Sequence, residues 1–246
     1  MANYILLVFE GQKTEVLAWE SLRGFFLNDL NDNTIIYGIY GNEIYSLYNK
    51  IVKDPDLDLF SLLKESPLNR ELLTEISKDE VSEIFLFFDY DGHVGGATDD
   101  QLASMIELFN EETEAGKLYI SYPMIEAIKH INPTTLFSET TAHCKTKINY
   151  KGLVSQQCDA AYKHFHRINE TQWKHIVSEH CKKLNHLMTN TFTFPTQYFD
   201  QASTFDQQLK KHIIPNDEVA VLSGFPIFIL DYYGSEKLEE IIQPAR

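Results

Sequence analysis

The chain has little cysteine, and what it has is unpaired in sequence. Cys144, Cys158 and Cys181 are the only three in 246 residues, with no Cys-x-x-Cys among them. Such usage suits a reducing compartment, most simply the cytoplasm. No HExxH occurs, and no Gly-x-x-x-x-Gly-Lys-Ser/Thr loop, so neither a helical zinc pair nor an ATP-cradling loop is encoded. Long apolar runs are missing too. Nothing approaches the ~20 residues that span a bilayer, and the longest run, around Val219 to Leu230, contains Pro226. The start, Met-Ala-Asn-Tyr, lacks the charged region of a secretory signal, and Glu10 interrupts the first apolar stretch. The expectation is a cytoplasmic protein with no membrane segment. Positive charge is also scarce: 21 Lys and Arg stand against 36 Asp and Glu, a net −15 that argues against a general nucleic-acid coat. No internal repeat or low-complexity segment occurs.

What the chain does have is core-building material, 43% hydrophobic and 13% aromatic, enough for one large domain or an ordinary one with a smaller companion. Its organising stretch is Ile84-Phe85-Leu86-Phe87-Phe88-Asp89-Tyr90-Asp91-Gly92. A continuous apolar run bounded by turn residues suits a strand buried on both faces of a parallel sheet. Asp89 and Asp91 fall where that strand would end, and the two-residue period would point both the same way. Chemistry in open parallel sheets collects beyond the carboxyl ends of the strands. Two carboxylates there would seat a hard divalent cation. The plain alternative is a strand followed by an acidic turn, since Asp-Gly is a common turn pair.

Earlier, Tyr4 to Phe9 is a second run of strand length, ending on Glu10-Gly11. A helical pattern follows through Val16, Leu17, Trp19, Leu22, Phe25 and Phe26. Asn31-Asp32-Asn33 reads as a turn, 34–40 as a strand, 44–52 as a helix, and 59–64 and 70–76 as helical pieces. Thr98 and Asp99 can cap a helix through Asn110, and 117–121 is a fourth strand leading into Tyr122-Pro123-Met124-Ile125-Glu126-Ala127. Alternating strands and helices predict an α/β fold with a mostly parallel central sheet flanked by helices. Beyond residue 150 helical spacing takes over, in 156–167, 171–188 and 199–212, and 217–233 reads as a helix or one broken at Pro226. The expected organisation is a catalytic domain over 1–142 and a mainly helical extension over 143–246 for substrate or partner binding.

Charge follows the same division. Residues 1–142 carry 9 basic against 25 acidic side chains, whereas residues 143–186 carry 8 against 3 together with six of the nine His. In the latter, Lys145, Lys147, Lys151, Lys163, Arg167, Lys182 and Lys183 are candidates for phosphate or an acidic partner, with a solvated basic face as the alternative. His164/His166 and His175/His180 lack the i, i+4 spacing of a helical zinc pair. His93, two residues past Asp91, could orient water or phosphate, or simply occupy a turn. Phe85, Phe87, Phe88, Tyr37 and Tyr40 read as core or sheet residues.

Two strands thus end in acids, and parallel strands place their ends on one edge. Glu10, Asp89 and Asp91 can therefore converge, and carboxylates without thiolates suit Mg²⁺ or Mn²⁺ rather than Zn²⁺. Glu15 and Glu126 could add ligands, or could be acids at helix starts.

Strand, Glu-Gly, helix, then strand, Asp-x-Asp-Gly resembles the Toprim domain of topoisomerases, bacterial primases, OLD-family nucleases and ribosomal-RNA-maturing ribonucleases. LLVFEGQKTE resembles the opening of small Toprim proteins of the RloB and related phage-defence groups, and YPMIEA a later motif that places Glu126. The resemblance covers roughly residues 4–130. It implies Mg²⁺- or Mn²⁺-dependent phosphodiester chemistry with Glu10, Asp89 and Asp91 as the acidic triad. It further implies Glu15 and Glu126 as additional metal residues. Beside it, Lys13, His93, Lys145 and Lys147 are the candidates for the substrate side. Topoisomerases need a tyrosine in a separate domain and primases need zinc-binding parts, so the nuclease branch fits this chain best. By analogy, such a nuclease is the effector of a prokaryotic anti-phage system, held by an ABC- or SMC-type ATPase and acting on nucleic acid, with a homo-dimer as a further option. The rival is a non-catalytic Toprim scaffold docking on an ATPase or nucleic acid. A phosphatase-like enzyme is disfavoured, because no lysine follows Asp91 until Lys117.

Overall fold

A computed structural model describes residues 4–27 and 35–243. The chain is α/β, with a five-stranded, mostly parallel central sheet, flanking helices and a helical C-terminal part. It packs as two units, the first formed by residues 1–89 and 96–119, the second by 90–95 and 120–246. Among the described residues no helix is long and apolar enough to cross a membrane.

The first unit contains β1 (Tyr4–Phe9), α1 (Thr14–Phe26), β2 (Ile35–Ile39), α2 (Ile44–Lys53), α3 (Leu59–Glu65), α4 (Arg70–Leu73), β3 (Val81–Asp89), α5 (Asp99–Leu108) and β4 (Asn110–Glu111). β5 (Gly116–Ser121) completes a sheet of order β2-β1-β3-β5-β4. The expected turn at 31–33 and Thr34 lie outside the described residues. β1 runs parallel to both neighbours, with Phe9 opposite Ile39 on one side and Phe87 on the other. That position explains its unbroken apolar sequence: Leu6 to Phe9 are all buried, as are Phe85 to Phe88 on β3. The aromatic residues form the core as expected, with Phe87 stacked on Tyr119 at 5.5 Å and Phe9 5.7 Å from Phe87. α5 starts at a Thr98–Gln101 capping box but stops at Leu108, not Asn110, because Asn110 and Glu111 turn back to pair antiparallel with Lys117 and Gly116. At the outer end of the sheet, buried Asn69 accepts the Ile39 N–H at 2.7 Å and donates to the Ile39 and Leu63 carbonyls, finishing β2 where no further strand does.

The second unit contains β6 (Thr141–His143), α6 (Tyr150–Gln157), α7 (Glu170–Thr189), α8 (Gln201–Gln208), α9 (Ile214–Asn216), β7 (Glu218–Ala220), α10 (Gly224–Tyr233) and α11 (Ser235–Ile242). Several expectations change here. The helix expected over 156–167 is α6 followed by two short 3₁₀ turns, Ala160–Tyr162 and Phe165–Arg167. Asp159 ends α6 by capping the first of them through the Ala161 N–H. The helix over 199–212 is α8 and a π turn, Leu209–Ile213. The single helix over 217–233 is instead a strand and then a helix. β7 pairs antiparallel with β6, while Pro226 falls in the first turn of α10, where its missing N–H costs nothing. Alternation across three residues is too short a signal to stand out beside a buried apolar helix.

The division at residue 142 also differs from the packing. Residues 120–143 are held by C-terminal partners: Tyr122 and Leu222 exchange both backbone hydrogen bonds, at 2.7 and 3.0 Å, and β6 pairs with β7. Hydrogen bonding between distant segments, invisible in composition, sets the boundary near residue 120.

Candidate functional site

The first unit brings acids together at the carboxyl edge of β1 and β3. Beyond Phe9, the Glu10 N–H donates to the Phe87 carbonyl at 3.2 Å, and the Glu10 carbonyl accepts the Gly41 N–H at 2.9 Å. The Glu10 backbone is therefore fixed between the ends of β2 and β3. Its Oε2 accepts the Asp89 backbone N–H at 3.0 Å, so a residue 79 positions away orients the carboxylate. The Asp89 side chain is buried at the same edge. Parallel register thus does what the sequence pattern predicts for these two residues: Phe9 lies level with Phe87, so Glu10 and Asp89 leave their strands nearly together.

Glu15 joins this edge through Gly11. A Cβ built on Gly11 would lie 2.9 Å from both Glu15 carboxylate oxygens, so the carboxylate occupies the space a side chain at 11 would fill. Glu15 is buried in the first turn of α1, where the helix N-terminus favours negative charge. Lys13 is the exposed residue preceding α1.

Asp91, His93, Glu126, Lys145 and Lys147 belong to the second unit. β3 ends at Asp89, and Asp91 has left-handed backbone with φ 43°, a conformation Asp tolerates better than most residues. The strand alternation expected to aim both aspartates alike therefore stops before Asp91. The Asp91 N–H reaches the Pro123 carbonyl at 3.4 Å, and its carbonyl accepts the Val94 N–H at 2.9 Å, closing a turn. Within it, the Tyr90 ring lies so close over Gly92 that an added Cβ would stand 2.5 Å from it. Lys145 Nζ lies over the outer part of this arrangement, 5.2 Å from the Tyr90 ring centroid. His93 Nδ1 is 3.9 Å from Asp91 Oδ1. Asp91, His93, His143 and Tyr150 line a cavity of about 20 Å³, room for a single water.

Glu126 sits in a 3₁₀ turn, Ile125–Lys129, its buried carboxylate 3.4 Å from the exposed Lys151 ammonium. Lys147 is exposed on the loop before α6. Lys183 departs from the expected phosphate-contacting group. It is 2% exposed and its ammonium donates to the Phe137, Ser138 and Thr140 carbonyls at 2.6 to 3.0 Å, while burial draws its pKa down to about 7. It terminates a strand-free turn from inside the protein and cannot reach a ligand. His180 is fully buried, accepting the Ser223 N–H at Nδ1 and facing the Ile128 carbonyl with Nε2, and burial lowers its pKa to about 3. His130 sits between the Tyr150 hydroxyl and Gln157 Oε1 at 2.9 and 3.0 Å. These interior roles carry no distinguishing sequence signal. The part of Gly11 does carry one, a glycine directly after a strand-end acid.

Among the described residues no three His, Cys, Asp or Glu side chains stand grouped so as to enclose a metal ion. The acids of the first unit offer oxygen donors alone, the chemistry of a hard cation, and Mg²⁺ keeps several waters while using one or two carboxylates plus substrate phosphate. Comparison of the chain with protein-family models, with curated proteins and with solved structures finds no match in any of the three.

Proposed function

We propose that the chain is a Toprim-type nuclease that cleaves phosphodiester bonds with a divalent metal, Mg²⁺ or Mn²⁺. One observation carries the reading: the Glu10 carboxylate, at the end of β1, is held by the Asp89 backbone amide at the end of the adjacent parallel strand. Glu10 and Asp89 would hold the metal, with Glu15 beside them over Gly11 and Asp91, two residues along the chain, as the third acid of the triad. The bound metal would polarise a phosphoryl oxygen and activate a water. The Glu10 backbone, bonded to the Phe87 carbonyl and the Gly41 N–H, limits how far its carboxylate can move. Within the first unit Lys13 is the group proposed to meet the phosphates of the strand; His93, Lys145 and Lys147 are the phosphate candidates of the second unit. Glu126 is assigned to its ion pair with Lys151 rather than to metal. The partner this reading implies is an ABC- or SMC-type ATPase that controls the nuclease in a prokaryotic defence system.

The rival reading is a non-catalytic Toprim scaffold that keeps the sheet edge and docks on an ATPase or nucleic acid. Incubation of the protein with labelled single-stranded RNA, transfer RNA and plasmid DNA, in Mg²⁺, Mn²⁺ or EDTA, separates the two. The nuclease reading expects metal-dependent cutting that falls by about 10³-fold in Glu10→Ala and in Asp89→Asn, equivalent to roughly 4 kcal/mol of lost transition-state stabilisation. Cutting that persists in both variants would place the chemistry elsewhere.

A further inference from the structure

A groove of about 460 Å³ opens at the carboxyl end of β2, within the first unit and next to Glu10. Tyr40 and Gly41 line it, and the Gly41 N–H is the group bonded to the Glu10 carbonyl. Pro67 and Leu68 line it as well; Leu68 is 46% exposed and stands over Gly41. Lys50, on the exposed face of α2, stands at the rim with its ammonium 5.1 Å from the Tyr40 ring centroid. It has no carboxylate partner within ion-pair distance among the described residues, in a unit holding 8 basic against 22 acidic side chains. By contrast Lys78 and Lys117 of the same unit are paired, with Asp58 and Glu112.

We infer that this groove binds one nucleotide of a single strand flanking the scissile phosphate. This rests on the nuclease reading and adds a subsite to it. The aromatic ring beneath Lys50 keeps the ammonium near the sheet edge, where it offsets the acidic field that a polyanion must enter. A nucleotide phosphate pairs with Lys50, and the base lies against Leu68 and Pro67, which otherwise leave apolar surface in water. Glu65, also lining the groove, repels phosphate and accepts a hydrogen bond from a base amino group, which fixes the direction in which the nucleotide lies. The volume falls within the range of ligand-sized clefts.

The test is fluorescence anisotropy of labelled 12-nucleotide single strands, DNA and RNA, in Mg²⁺ across a salt series, in a Glu10→Ala background that leaves the strand intact. Lys50→Glu is expected to raise Kd by about ten-fold and to flatten the slope of log affinity against log salt by about 0.7, the value for one phosphate contact on a single strand. Leu68→Asp, at an exposed position, is expected to weaken binding several-fold without changing that slope by more than about 0.2. Lys78→Glu makes the same charge change at the amino end of β3 and is expected to stay within about two-fold of the background. If Lys50→Glu behaves like Lys78→Glu while the strand still binds, the groove assignment is overturned and the nuclease reading stands. If the background protein binds neither strand, both fall together.

Discussion

The two units use the same kinds of polar residue to opposite ends. In the first, Glu10, Glu15 and Asp89 gather where parallel strands finish, each in a position that gives its carboxylate a backbone amide, a helix N-terminus or a burial site beside the others. In the second, the His- and Lys-rich segment looks equally promising by composition, yet its Lys183 and His180, like His130 before it, turn inward and satisfy carbonyls, amides and hydroxyls of their own unit. The difference lies in what the backbone needs. A strand end in a parallel sheet leaves its polar groups facing a crevice, whereas a succession of short helices and 3₁₀ turns leaves orphan carbonyls inside that only a donor can satisfy.

This contrast can be broken at its strongest point first. Lys183→Met removes three donors from three interior carbonyls and is expected to cost about 4 kcal/mol or more, read as a lower urea midpoint. A variant of unchanged stability that lost nucleic-acid affinity would instead return Lys183 to the surface role its sequence context suggests. Next comes acid. The folded-state pKa of His180 is depressed to about 3 from the ordinary 6.5, so the unfolded chain takes up a proton first as pH falls. His180 therefore contributes stability above pH 6.5 that is lost progressively between 6.5 and 3, about 2 kcal/mol of it by pH 5. His130 and His212, also held low by burial, act in the same direction. Urea midpoints at pH 7 and pH 5 should differ less in His180→Gln than in the parent protein; an equal difference would remove His180 as a cause. The smallest expected effect is Gly11→Ala. Its Cβ meets only the flexible end of Glu15, so stability should change by less than about 1 kcal/mol while metal-dependent cleavage drops roughly ten-fold. Cleavage at the parent rate would detach Glu15 from the site.

How much of this was legible beforehand follows from the range of the interactions. Unbroken apolar runs at Tyr4–Phe9 and Ile84–Phe88 announced central parallel strands, and the acids after them marked the edge, because strand period and sheet direction are local facts. Thr98, read as a cap, announced the start of α5 for the same reason. The β6–β7 pair was not legible: three-residue strands 75 or more positions apart carry almost no periodic signal, and α10, apolar on every side, masked the change from strand to helix. That the strand ends before Asp91 was not legible, because a left-handed turn residue leaves no trace in the apolar pattern. The inward turn of Lys183 depends on three carbonyls more than forty residues away, contacts no sequence spacing describes.

The most direct test of the central claim is Mn²⁺ binding by the parent protein and by Glu10→Ala, Asp89→Asn and Glu126→Ala, followed by electron paramagnetic resonance. The account predicts a bound Mn²⁺ that is lost in the first two variants and retained in Glu126→Ala. Binding that survives both Glu10→Ala and Asp89→Asn, or that disappears in Glu126→Ala alone, would contradict it.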